Sequence, residues 1–351
     1  MRLKCQKNLT YEFTHFNIKK NVYNVPEFEK ATMYTIYKTS PTKLLNPKTP
    51  EKDSWIDFSS PSKKEISELQ NITGLDDNDI EDLITSVKDR EEAPKIEQTD
   101  NYQVILIQTP IDIKQDGIST FSVTPLAILY NNHHLITISF GKNDLIDYIK
   151  YKLRNYQTNH IIDTGNIQRI ILKLLLFSSK IYIRYLKVIY LHIASAQTMM
   201  QKSPQDKEIL KLLEVSKSLT YFNRSLTANH LVIEKLSKRK KFNSAEVDLE
   251  LIEDALDENR QAMDTVKIYD RIVINTTNTF SNLISNNVNK TVKFLTAITL
   301  ILTIPALVAN VYGMNVPLPL QENANAFGYI IAIAGTLSLI GIIWFYGKKL
   351  F

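Results

Sequence analysis

Two long apolar runs close the chain, Phe294 to Tyr312 and Phe327 to Tyr346, and neither holds an ionisable residue other than tyrosine. Each is close to the roughly 20 residues a helix needs to cross a hydrocarbon core. A backbone in lipid must satisfy its own hydrogen bonds, so both runs predict helices. The alternative is a buried hairpin of a soluble protein, but core helices seldom stay uncharged for so long. Upstream the pattern changes. Stretches rich in Ile, Val, Thr and aromatics predict strands at Ala31 to Tyr37, Ser54 to Phe58, Tyr102 to Thr109, Ser119 to Ile128 and His134 to Phe140. Helices are expected between them. One is opened by Ser62 with Glu65 three residues on, a capping-box pattern; others cover Asp77 to Ser86 and Asn143 to Tyr156. Strands mixed with helices predict a layered α/β/α domain over residues 1–160.

From Ile167 the chain turns to long helices. Ile167 to Met200 carries Leu and Ile at helical spacing, Ser203-Pro204-Gln205-Asp206 breaks it, and a second helix follows from Lys207 to about Lys240. Residues 161–243 thus form an antiparallel helical hairpin. No Pro or Gly lies between Ser244 and Pro305. One helix can therefore run from a stalk, 244–292, into a first span, 293–312, over roughly 100 Å. A heptad reading puts Leu249, Leu256, Met263 and Ile284 on one seam position and Ile252, Val266, Val273 and Phe280 on the other. Asp270, Thr277, Asn259 and Asn287 interrupt it. A long helix with a broken seam must pack on partners, and copies of itself are the obvious ones. A loop (313–326), a second span (327–346) and a short basic tail (347–351) complete an α+β membrane protein, expected as a homo-oligomer whose stalks converge on a pore.

Composition narrows this further. Mean hydropathy is slightly negative, as suits a large soluble part beside two spans. The net charge of +5 among 351 residues argues for no nucleic acid, and no nucleic-acid motif is present. Lys238-Arg239-Lys240-Lys241 reads as a solvated loop between helices rather than a nucleic-acid or lipid site. The lone cysteine, Cys5, excludes an internal disulfide and a multi-cysteine metal site, and the first residues lack the apolar core of a signal peptide. Lys290 and Lys293 flank the first span, and Lys348 and Lys349 follow the second. The connecting loop has neither Lys nor Arg. Both termini are expected in the cytoplasm, with the loop outside the cell membrane. His133, His134, His192 and His230 show no ligand spacing, and no nucleophile, base and orienter set stands out, so no enzyme is expected.

The stalk becomes polar near the membrane: Asn275, Thr276, Thr277, Asn278, Ser281, Asn282, Ser285, Asn286, Asn287 and Asn289. Uncharged amides and hydroxyls suit the wall of a hydrated passage, or simply a solvated stalk surface. Asn289, Val292, Leu295, Thr299, Thr303, Ala306 and Asn310 recur every three or four residues and share one helical face. The run ends in Tyr312-Gly313-Met314-Asn315, followed by a short loop, a final span and a Lys-rich end. With that arrangement the chain resembles the CorA family of magnesium channels and transporters. Trp55-Ile56-Asp57 resembles a family motif, and Pro94-Lys95 resembles its Arg-Pro-Lys with Ala93 in place of Arg. The resemblance implies a homopentameric funnel with the first span lining the pore, Mg²⁺ (with Co²⁺ or Ni²⁺ as further cargo) as substrate, and Tyr312, Gly313, Met314 and Asn315 at the mouth. Mg²⁺ gives up water reluctantly, so neutral oxygens from Asn315 and Gly313 would hold the hydrated ion through its shell. Tyr312 and Met314 would pack the mouth in place, and Glu322 either draws cations to the entrance or is a plain solvated acid.

The resemblance also implies regulation. Cytoplasmic Mg²⁺ between neighbouring soluble domains would hold the pore closed, with Asp82 beside Glu81 on one side and Asp254 with Asp257 on the other. Several residues depart from the family pattern. The helix from Ile167 to Met200 has no acid and carries Lys173, Lys180, Arg184 and Lys187; Asn278 stands where an Asp can occur; Thr303 stands where a bulky apolar gate residue can occur. The gate is then expected to rest on Leu295 and Val292. Two rival readings are a Zn²⁺ or Co²⁺ transporter of the same fold and a membrane-anchored sensor or scaffold that conducts nothing.

Overall fold

The computed structural model describes residues 34–40, 44–99, 101–115, 118–154, 162–202, 206–242, 246–314, 319 and 325–347. Its strands are β1 (Thr35–Thr39), β2 (Leu44–Leu45), β3 (Ser54–Ser59), β4 (Lys95–Gln98), β5 (Gln103–Gln115), β6 (Ile118–Tyr130) and β7 (His134–Ser139). Among the described residues they form one sheet in the order β2-β1-β3-β7-β6-β5-β4, in which only β3 and β7 run parallel.

Alternation along the strands feeds two cores. On β5, Val104 and Leu106 enter one, while Ile105 and Ile107 enter the other. The first core is capped by α1 (Lys63–Thr73) and α2 (Asp77–Lys88), through Leu69, Ile80, Leu83, Ile84 and Val87. The second is covered by α3 (Asp144–Arg154), α4 (Ile167–Lys202), α5 (Asp206–Ser237) and the base of α6 (Glu246–Tyr312). Burial on both faces explains why the strands read as nearly continuous apolar runs. The expected α/β/α layering is present. Ser62 caps α1 as its pattern predicts: Glu65 N–H donates to Ser62 Oγ at 3.4 Å and Ser62 N–H to Glu65 Oε2 at 2.6 Å. Gly74, at φ 66°, ends that helix in the left-handed region glycine tolerates.

Several boundaries differ from the expected ones. β5 runs through Pro110 to Gln115 rather than stopping at Thr109. β4 pairs only with residues 103–106, so Pro110 lies where one side of β5 has no partner and its missing N–H costs no ladder bond. Pro125 on β6 sits likewise just outside the β6–β7 ladder, which begins at Leu126. The short strands β2 and β4 give no alternating signal. The expected strand start at Ala31 and the turn at Pro204 lie outside the described residues.

The chain divides into two compact units. One comprises the residues up to Ile189 with Lys217–Lys267, and the other comprises Tyr190–Ser216 with the residues from Ile268 onward. In the first, α6 buries Ile252, Ala255, Asn259, Ala262 and Val266. Within one chain only one of the two seam positions is buried. Leu249 is 40% exposed, and Leu256 and Met263 are only half-buried. Ala255 and Ala262 are fully buried beside the position that Ile252 and Val266 occupy. In the second unit, α6 buries Val273 and Phe280, Tyr190 stacks near Tyr269 with ring centroids 5.5 Å apart, and Gln197 Nε2 donates to Thr276 Oγ1 at 2.8 Å. Among the described residues, α6 and α7 (Ala326–Gly347) are the helices long and apolar enough to cross a membrane.

Candidate ion pathway and regulatory carboxylates

The candidate pathway is framed by how α7 lies on the outer part of α6. Along α7 the partly covered residues are Ala326, Ile330, Ala334, Ser338, Gly341 and Phe345, one per turn and mostly small. A Cβ added at Gly341 would lie 3.5 Å from Ile304 Cδ1, so this face meets α6 closely. The covered residues of α6 are Ala297, Ile298, Ile301, Ile304, Pro305, Val308 and Tyr312. At 100° per residue they centre about 180° from the face of Asn289, Val292, Leu295, Thr299, Thr303, Ala306 and Asn310. All seven of these side chains are exposed. The predicted pore-facing residues thus share a face that α7 leaves free.

Both ends of that face are polar or constrained. At the lower end, Asn278, Ser281, Asn282, Ser285, Asn286, Asn287 and Asn289 are exposed, as is Asn275, while Thr276 and Thr277 are half-covered. At the outer end α6 closes with Gly313 N–H bonded to Ala309 O at 2.9 Å and to Asn310 O at 3.2 Å. Tyr312 is half-buried and Met314 is 55% exposed. Asn315 and Glu322 lie outside the described residues.

The proposed sensor carboxylates fall on two separate layers. Glu81 and Asp82 are on the exposed side of α2, whose buried side enters the first core. Asp254 and Asp257 are on the exposed side of α6, whose base enters the second core across the sheet. One chain therefore cannot bring Asp82 and Asp254 together. Among the described residues no group of three or more His, Cys, Asp or Glu side chains is placed to hold a metal. The Asp254 carboxyl is pushed above its usual range, first by partial burial; Lys180 opposes this, and Glu250, Asp257 and Glu253 add to it. That crowding of negative charge is relieved by any bound cation.

The sequence reading missed the residues that answer these acids. Lys180 Nζ is 3.8 Å from Glu258 Oε1, and Arg169 Nε is 3.2 Å from Asp248 Oδ1. The basic helix α4 is thus the counter-charge of the acidic base of α6. The pairing was legible as two long helices of opposite charge, but only with their register known. Lys173, on the same helix, is lowered to about 8 by burial and then by Arg169, against the pull of Asp163 and Asp248.

Other motif residues prove internal. Trp55 is fully buried, with its indole N–H donating to Thr137 Oγ1 at 2.9 Å. Asp57 accepts from Thr137 Oγ1 at 2.6 Å, Ser59 Oγ at 2.7 Å and Lys150 Nζ at 2.6 Å. Lys95 bridges Glu92 and Glu97 at 2.8 and 3.0 Å. In the basic loop, Arg239 Nη1 donates to Gln103 Oε1 at 2.5 Å and Lys241 Nζ to Asn132 Oδ1 at 3.2 Å. His134 is half-buried near Ser54 Oγ, and His230 Nε2 is 3.8 Å from Glu234.

Comparison with known proteins places this geometry among others. Residues 51–349 match the family described as CorA-like Mg²⁺ transporter protein. The chain is 25% identical over 288 residues to the cobalt/magnesium transport protein CorA of Methanocaldococcus jannaschii, covering 82% of this chain and 87% of that one. The complete structure of the CorA magnesium transporter from the same organism superposes with a TM-score of 0.76 at 22% identity, covering 90% of this chain and 97% of that one. The ZntB cytoplasmic domain from Vibrio parahaemolyticus shares the fold at a TM-score of 0.55 and 12% identity, over 72% of this chain and 98% of that one.

Proposed function

Because the chain belongs to the family of CorA-like Mg²⁺ transporter proteins, and so is a membrane transporter of divalent cations rather than an enzyme, we propose that it conducts hydrated Mg²⁺ as a channel. The observation that carries this reading is the exposed face of α6 from Asn289 to Asn310, which α7 leaves free and which leads to Gly313-Met314-Asn315. Copies of the chain, five in this reading, bring these faces around one passage. Val292 and Leu295 supply its apolar constriction. Oxygens of Asn315 and Gly313 hold the ion through its waters, because stripping an octahedral Mg²⁺ shell is costly. Glu322 stands at the entrance. With both termini in the cytoplasm, a membrane potential drives the ion inward by about 4.6 kcal/mol per 100 mV, twice the single-charge value.

The separation of the sensor acids supports a reading of regulation as well. Asp82 with Glu81 from one protomer and Asp254 with Asp257 from a neighbour would hold a cytoplasmic Mg²⁺ between them. Carboxylates are the donors a hard cation takes, and the crowded charge around Asp254 favours one. Binding there shifts the population toward the closed form.

The test is divalent flux into proteoliposomes, wild type beside Asn315→Ala, with and without Mg²⁺ on the cytoplasmic face. Mg²⁺ flux that collapses in the variant and is suppressed by cytoplasmic Mg²⁺ supports the gated channel. Flux of Zn²⁺ or Co²⁺ without Mg²⁺ moves the assignment to another ion. No divalent flux from intact oligomers leaves a sensor or scaffold.

A further inference from the structure

Two threonines on the free face of α6 form a ladder. Thr299 Oγ1 donates to Leu295 O at 2.8 Å, and Thr303 Oγ1 donates to Thr299 O at 2.7 Å. Both residues are exposed, one turn apart, and directly follow Leu295 on the face opposite α7. A hydroxyl has one hydrogen to donate and two lone pairs to accept with. Here the hydrogen is committed to the carbonyl four residues back, a bond threonine commonly makes in helices. Thr296 and Thr336 make it too. What sets Thr299 and Thr303 apart is their place on the proposed pore face. There each presents acceptors only. A hydrated cation has the complementary surface: its waters turn their oxygens to the ion and their hydrogens outward. An anion's shell offers the reverse.

We propose that Thr299 and Thr303 form two acceptor-only rings that hold the water shell of the passing divalent cation between the Leu295 constriction and the outer mouth. They are specificity-determining residues for transport, and the inference rests on the reading of this face as pore-lining. It also accounts for a polar residue at 303, whose hydroxyl offers the ion's waters an acceptor that an apolar side chain would lack.

The test compares Mg²⁺ flux through the full-length protein in proteoliposomes. The variants are Thr299→Val/Thr303→Val, which keeps shape and removes the hydroxyls, Thr299→Ser/Thr303→Ser, which keeps them, and Thr303→Val alone. The valine pair is expected to lose about tenfold in flux with its oligomer intact by size exclusion, the single variant less, and the serine pair to stay within about twofold of wild type. Wild-type flux in the valine pair, or equal losses in the serine and valine pairs, overturns the inference. If the valine pair fails to assemble, Thr303→Val against Thr303→Ser decides on the same terms. Wild-type flux that Asn315→Ala abolishes but the valine pair leaves unchanged sinks only the threonine rings. Absence of all divalent flux in wild type sinks the pore reading with them.

Discussion

Replacing Asp57 by alanine removes the acceptor at the centre of the soluble domain. The carboxylate is 2% exposed and takes hydrogen bonds from Thr137, Ser59 and Lys150 at 2.6 to 2.7 Å. Its loss leaves the Lys150 ammonium, 19% exposed, beside two hydroxyls that have also lost the acceptor of their hydrogens. Breaking one side of a buried ion pair costs about 3–5 kcal/mol. For a domain of this size each kcal/mol moves the melting temperature by about 2–4 °C, so a fall of about 10 °C is expected. Burial, the largest influence, pushes the Lys150 ammonium down, but the charge and hydrogen bond of Asp57, together with Tyr37 and Asp147, raise it overall. A raised folded pKa gives stability that is present below the unfolded value of about 10.4 and lost above it. The gap between wild type and Asp57→Ala should therefore narrow above that pH. The assay is thermal unfolding of the full-length protein in detergent, followed by far-UV circular dichroism, for Asp57→Ala, Lys150→Met and the double variant. The double variant should be less damaged than the sum of the singles by at least about 1 kcal/mol. A shift under about 1 kcal/mol for Asp57→Ala, or strict additivity, would refute the reasoning.

Three further outcomes follow from the second core. Lys173 is lowered to about 8, so between there and about 10.4 the unfolded chain binds more protons and stability rises with pH; Lys173→Met should melt higher than wild type at pH 7 and lose that advantage by pH 10 in the same melts. Lys180 is the cation beside Glu258 and Asp254; Lys180→Met should let cytoplasmic Mg²⁺ suppress flux at a severalfold lower concentration, and an unchanged inhibition curve counts against a sensor at Asp254. Asn259 is 1% exposed, and neither of its amide atoms has a partner among the described residues. Asn259→Leu should therefore stabilise by about 1 kcal/mol, read as a rise in melting temperature.

Elements that announce themselves locally were legible in the sequence. Ser62 and Glu65 determine a helix start through two short-range bonds, and the apolar runs determine two spans by length alone. What depended on register was not legible. The seam of α6 could be read with Leu249, Leu256 and Met263 or with Ala255 and Ala262, and composition favours the leucines. Within one chain the alanines are the buried ones and Leu249 is 40% exposed. The same ignorance of register hid the pairing of Lys180 with Glu258 and Arg169 with Asp248. Strand ends failed where Pro110 and Pro125 look like breakers, since only the sheet order reveals that their missing donors face no partner.

The functional residues divide by a different rule. A residue whose role is completed inside one chain, such as Asp57, is surrounded by its partners. One whose role is completed by another copy is left exposed in a single chain. On the proposed reading, the face of α6 from Asn289 to Asn310 and the acids Asp82 and Asp254, all exposed, belong to the second kind. Their exposure is what the pore reading requires. A face of Val292 and Leu295 flanked by amides and hydroxyls is too polar to face lipid and too apolar for an ordinary stalk surface, and α7 covers only its opposite side. Asp82 and Asp254 sit in layers separated by a sheet, so any cation shared between them must be shared between chains. In the proposed reading, conduction and its inhibition are both properties of contacts between copies. A substitution at such a contact should alter flux or its Mg²⁺ dependence while leaving the fold of the single chain intact, whereas substitutions at Asp57 or Trp55 should lose both together.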